Sequence, residues 1–126
     1  MEKVNLDGKV TIAELKHKVD SFIIDRDWLE YQKPKDIAVS IVIEATELLE
    51  KFQWLTDEEV KQALCDAEMF GAVKSELADV VTYALNLSSR LGIDLSAAVL
   101  EKLGENERKY PVDKVKGHYR KYSEIK

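Results

Sequence analysis

Four carboxylates stand in two matched pairs: Glu44 with Glu47, and Glu76 with Asp79, each pair three residues apart. At helical spacing the two members of a pair share one face. Both pairs fall in the most apolar stretches of the chain. Ile37-Ala-Val-Ser-Ile-Val-Ile runs directly into Glu44, and Asp79 sits within Leu77-Ala78-Asp79-Val80-Val81. A helix that is apolar nearly all round belongs inside a bundle, where unneutralised carboxylates are costly. At an effective dielectric near 20, two charges about 5 Å apart repel by roughly 3 kcal/mol. Several such terms would rival the about 5–15 kcal/mol that keeps a domain folded.

A divalent cation resolves that conflict. Oxygen ligands without His or Cys select Mg²⁺, Mn²⁺ or Ca²⁺ over zinc or copper. His17 and His118 lie far from both pairs, and neither pair has the Glu-x-x-His spacing of di-iron bundles. The competing reading is two solvent-facing pairs, since like charges on an exposed helix cost only about a few tenths of a kcal/mol. Their placement on apolar helices favours the metal.

Helices must carry these groups. Thr11 and Glu14 form a capping box that opens a first helix running to about Trp28, with Ile12, Leu15, Val19, Phe22 and Ile23 on one stripe. Lys33-Pro34-Lys35 interrupts the chain, and Asp36 is a candidate cap for a second helix, Ile37 to about Phe52. Thr56 with Glu59 starts a shorter third helix, to about Ala67. A fourth spans about Ala72 to Leu91, before the left-handed stop Gly92. Asp94 caps a fifth, Leu95 to Lys109, closed by Pro111. Residues 1–10 read as an arm and 112–126 as an irregular tail. The expectation is one all-α domain, a four- to five-helix bundle over residues 1–126.

Composition agrees. The 126 residues hold only five Gly and two Pro and are 34% charged, which reads as helical. A net charge of −5 argues against binding a nucleic acid polymer. Cys65 is the lone cysteine and has no disulfide partner; it reads as a small core residue in a reducing compartment. MEKVNLDGKV lacks the apolar core of a signal peptide, and no apolar run reaches the roughly 20 residues of a membrane span. A soluble, cytoplasmic protein without a membrane partner is expected.

Further residues could serve a bound ligand. Lys102, Asn106 and Lys109 share a face of the fifth helix, with Tyr110 at its end. They suit phosphates or a sugar, or else form a solvated face. Trp28 and Trp54 each end an apolar helix, where a ring can stack on a base or fill the core. Tyr83 lies four residues beyond Asp79 and on its face, with Asn86 following as a lesser candidate. Met69-Phe70 before Gly71 reads as a packed corner, and His17 and His118 as surface residues.

With these residues placed, the chain resembles the MazG-like all-α NTP pyrophosphatases. Glu44-x-x-Glu47 and Glu76-x-x-Asp79 match their paired signature. Arg26-Asp27-Trp28, Lys33-Pro34-Lys35, Phe52-Gln53-Trp54 and Asn106-Glu107-Arg108-Lys109-Tyr110-Pro111 resemble the dCTP pyrophosphatase branch. The likeness covers about residues 12–115. It implies that Glu44, Glu47, Glu76 and Asp79 hold Mg²⁺, or Mn²⁺, bridging a triphosphate, and that a (d)NTP is cut to the NMP and pyrophosphate. It implies dCTP or a modified pyrimidine deoxynucleotide as substrate, nucleotide-pool house-cleaning as role, and a homodimer or homotetramer as assembly. Trp28 and Trp54 become base-stacking residues. Relatives can carry a histidine on the first helix near the base, whereas His17 lies several residues away. Glu47 is our choice of general base, although any of the four carboxylates, or a second metal-bound hydroxide, could act. A non-catalytic helical metal- or nucleotide-binding protein is the alternative, and a purely structural oligomerising bundle a third.

Overall fold

The computed structural model describes residues 4–117 and 122–124. Their helices are α1 (Ile12–Ile24), α2 (Pro34–Glu50), α3 (Asp57–Ala63), α4 (Ala67–Leu91), α5 (Leu95–Lys109) and α6 (Val112–Val115), with 3₁₀ turns at Leu29–Tyr31 and Tyr122–Glu124. No strand occurs among the described residues, so the all-α expectation holds. Contacts divide the chain into two compact units, Met1–Ile93 and Asp94–Lys126.

In the first unit α2 packs along α4, and α1 lies against α4. Ile23, Ile37 and Leu85 form its most buried apolar positions. The caps work as their side chains predict: Thr11 accepts from the Glu14 N–H at 3.1 Å, Thr56 from Glu59 at 3.2 Å, and Asp94 of the second unit from Ala97 at 2.9 Å. Gly92 ends α4 at φ 64°, the left-handed conformation glycine adopts without a Cβ penalty.

Several boundaries differ from the sequence reading. The first helix stops at Ile24, not near Trp28. Asp27 takes φ 54°, while the N–H groups of Asp27 and Trp28 donate to the carbonyls of Ile24 and Ile23 at 3.0 and 3.1 Å. That pattern is a Schellman stop built on aspartate, which tolerates the left-handed region better than most residues. Pro34 does not interrupt a helix but begins α2, because its missing N–H costs nothing at the first helical position. Asp36 therefore sits in the first turn rather than at the cap.

The fourth helix starts five residues early, at Ala67, because the Asp66 carboxylate caps Met69 N–H at 3.1 Å. Met69, Phe70 and Gly71 are consequently helical, not a corner. Cys65 is exposed, against the expectation of a core position, and its Sγ donates to the Lys61 carbonyl at 3.3 Å. In the tail, Val112–Val115 forms one helical turn, while His118 and the basic Arg120 and Lys121 lie outside the described residues. His17 is exposed as expected.

Candidate active site

Two faces meet where α2 packs on α4. At 100° per residue, Glu44, Glu47 and Lys51 fall on one side of α2 or its immediate continuation. Glu76, Asp79, Tyr83 and Asn86 occupy a single arc of about 80° on α4. The packing brings the first pair against the second. Carboxylate oxygens of Glu44, Glu47 and Glu76 lie within 4.8 Å of one another. All three side chains are half-buried.

Asp79 stands outside that close set and is exposed, yet its charge acts on both Glu44 and Glu76. Glu47 takes the middle place: it is close to both Glu44 and Glu76 and raises the carboxyl of each.

The electrostatics record the crowding. Burial, followed by the hydrogen bond and charge of Glu47 and then by Asp79 and Glu76, pushes the Glu44 carboxyl up to about 7. Glu76 is also raised, by burial first and Glu47 second, against an opposing pull from Lys51. One oxygen each of Glu44 and Glu76 is buried without a hydrogen-bond partner. Acceptors concentrated, shielded and unsatisfied in this way fit a hard divalent cation. An all-oxygen set of carboxylates suits Mg²⁺, Mn²⁺ and Ca²⁺ alike.

Beside the acidic cluster is a cavity of about 290 Å³ lined by α1, the turn that follows it and α4. Asp79, Tyr83 and Asn86 form its α4 wall, and Phe22 and Trp28 supply rings. Trp28 packs edge-on to Phe22 with centroids 5.9 Å apart. Asp79 therefore belongs to both places: it lines the cavity and bears on the carboxylates. Trp28 and Tyr83, singled out from sequence, line this cavity together; Trp54 does not, and is 85% exposed.

Val19, Phe22 and Gln32 also line the cavity, though sequence reasoning gave them no binding role. Val19 and Phe22 were absorbed into the apolar stripe of α1. Gln32 follows the Schellman stop and carried no periodic signal.

In the second unit, Lys102, Asn106 and Lys109 share a face of α5 as their spacing requires. Glu105 pairs with Lys102 at 3.4 Å and with Lys109 at 3.1 Å. Lys109, then Lys102, pull its carboxyl below the usual carboxylate range. Asn106 and Tyr110 are half-buried.

This arrangement has known counterparts. Residues 39–125 match the MazG-like family. The chain belongs to that family. It is 34% identical over 115 residues to dCTP pyrophosphatase 1 of Homo sapiens, covering 91% of this chain and 68% of that protein. The Bos taurus protein of the same name is 33% identical over the same coverage. A crystallised pyrophosphatase from Archaeoglobus fulgidus DSM 4304 superposes with a TM-score of 0.75 at 38% identity, spanning 88% of this chain and 98% of that one. With such relatives on both counts, this MazG-like chain is an enzyme of the pyrophosphohydrolase class. No helix among the described residues is long and apolar enough to cross a membrane.

Proposed function

We propose that this MazG-like protein hydrolyses a nucleoside triphosphate between the α- and β-phosphates in a Mg²⁺-dependent reaction, with dCTP or a 5-modified pyrimidine relative as substrate. The observation that carries the reading is Asp79, shared between an acidic cluster suited to a metal–triphosphate and an aromatic cavity suited to a base.

Glu44, Glu47, Glu76 and Asp79 would hold the cation, and the two orphaned carboxylate oxygens supply donors ready for it. Bound there, Mg²⁺ neutralises charge on the phosphate oxygens. Glu47 takes the proton of the attacking water as general base, supported by its place between Glu44 and Glu76. The α–β anhydride bond breaks, and the products are the NMP and pyrophosphate. Trp28 stacks on the base and Tyr83 orients the nucleoside.

Trp54 joins the base-stacking set in this proposal, as do Lys102, Asn106, Lys109 and Tyr110 as phosphate or sugar ligands, on their α5 spacing. A homodimer or homotetramer is supported by the large apolar side chains Val42, Ile43, Leu77 and Val81, which remain exposed on α2 and α4 and would gain by being covered. The role would be clearing unwanted nucleotides in the cytoplasm.

The test is incubation with eight common (d)NTPs, with and without Mg²⁺, and separation of products by ion exchange. Monophosphate plus pyrophosphate, only with metal, supports the proposal. Diphosphate plus orthophosphate places the cut at the wrong bond. Binding without turnover favours the non-catalytic alternative.

A further inference from the structure

Inside the cavity, two side-chain amides are wired in series. Gln32 donates its Nε2 to the Trp28 carbonyl at 3.2 Å. Asn86 donates its Nδ2 to Gln32 Oε1 at 2.8 Å. Asn86 is only 3% exposed, and its Oδ1 has no hydrogen-bond partner. Both amides line the cavity, with the rings of Phe22, Trp28 and Tyr83 around them.

The polarity of this relay is not free to reverse. A backbone carbonyl can only accept. The Trp28 oxygen therefore holds the NH₂ end of Gln32, which turns the Gln32 oxygen toward Asn86. That oxygen in turn holds the NH₂ end of Asn86. Flipping either amide alone sets acceptor against acceptor or donor against donor. Flipping both puts the Gln32 oxygen against the Trp28 oxygen. The group left over at the end of the chain is an acceptor, shielded from water and unsatisfied.

A buried acceptor of this kind discriminates sharply, because a wrong partner leaves two groups unpaired rather than one. We infer that Gln32 and Asn86 form the base-selecting element of the site, which favours a base presenting an amino group to Asn86 Oδ1 over its oxo counterpart: cytosine over uracil or thymine. Asn86 makes the contact and Gln32 is a positioning residue that fixes which end of Asn86 faces the base. The inference rests on the proposed use of the cavity as the nucleoside site. Its chemistry needs only that a heterocycle enters.

The test compares dCTP with dUTP, which differ in the amino or oxo group at one ring position and in the adjoining ring N–H. In wild type, kcat/KM for dCTP should exceed that for dUTP by roughly tenfold or more, the scale of one mispaired buried hydrogen bond. Gln32→Leu removes the anchor, so Asn86 can turn its NH₂ toward a carbonyl; the dCTP:dUTP ratio should fall toward one. Gln32→Glu still offers Asn86 an oxygen but loses the donor to the Trp28 carbonyl, so the ratio should fall less than in Gln32→Leu. A wild-type ratio near one overturns the inference, as does a Gln32→Leu protein that loses both activities equally. Calorimetric binding of dCMP and dUMP to wild type and Gln32→Glu runs in parallel, and separates this inference from the hydrolase reading. If no triphosphate is cut, the hydrolase reading fails. Preferential dCMP binding would still support the relay, and equal affinities would sink it.

Discussion

Arg90 of α4 pairs with Asp20 of α1 across 70 residues of sequence. Their side chains are only 18% and 30% exposed, so the pair is partly shielded from solvent. Within one turn of Asp20, α1 carries Val19, Phe22 and Ile23, which line the cavity with Tyr83 and Asn86 of α4. The ion pair thus fixes the α1 wall of the cavity to its α4 wall. Asp20→Ala would leave the Arg90 guanidinium without its carboxylate, and its Nε already lacks a partner. The expected loss is about 1–2 kcal/mol, a charged hydrogen bond discounted for partial exposure. Thermal denaturation checks it, and an unchanged melting temperature would show that the pair is ornamental to stability.

Glu44→Gln separates fold from function. It removes one charge from a cluster of like charges, so the metal-free protein should melt higher than wild type. The same change removes a proposed cation ligand, so Mg²⁺-dependent pyrophosphate release should fall by at least about a hundredfold, beyond what loss of an outer supporting group usually costs. A variant that is both less stable and fully active would refute the assignment of the acidic cluster.

The pH dependence has a definite sign. The folded, metal-free chain holds a proton on Glu44 up to about 7, against an ordinary 4.5. Between those values the unfolded chain has released that proton while the folded chain keeps it. The contribution of Glu44 to the stability of the metal-free protein is therefore full below about pH 4.5 and is lost as pH rises through about 7. Glu76, also raised, adds in the same direction.

A cation competes with these protons. At about 100 times its dissociation constant a bound ligand stabilises by about 2.7 kcal/mol. The Mg²⁺-induced rise in melting temperature should consequently be larger at pH 8 than at pH 5. An equal rise at both would mean that the cation binds elsewhere.

Trp28 offers a test of the cavity. Trp28→Ala removes the indole that packs on Phe22 and a proposed stacking surface worth about 1–3 kcal/mol per base. The KM for dCTP should rise by about tenfold or more, with a smaller change in kcat, read from initial rates over a substrate series. Trp28→Phe should recover part of the loss. If KM does not move in Trp28→Ala, the base lies elsewhere.

At the start of α4, Asp66→Ala removes the carboxylate that caps Met69. The cost should be about 1 kcal/mol, seen as a lower melting temperature with kcat unchanged, since Asp66 lies nearly three turns before Glu76. A full loss of activity would show that the cap positions the cluster.

What sequence alone determined was local. Caps at Thr11, Thr56 and Asp94 act within three residues of themselves, and the stop at Gly92 depends on its own φ. Such features are legible because the interacting atoms are neighbours in the chain. The same reasoning missed the stop at Asp27, where aspartate does work usually left to glycine, and read the helix-starting Pro34 as an interruption. The pairing of Glu44 with Glu47 and of Glu76 with Asp79 was equally visible, since helical spacing alone puts each pair on one face.

Only tertiary structure decided that α2 faces α4, so that three of those carboxylates converge and Asp79 reaches both the cluster and the cavity. It alone revealed Gln32, which belongs to no periodic stripe and gains meaning from an amide 54 residues away. Spacing fixes which side chains share a helix face. Which faces meet is set by packing between segments distant in the chain, and no local pattern encodes that meeting.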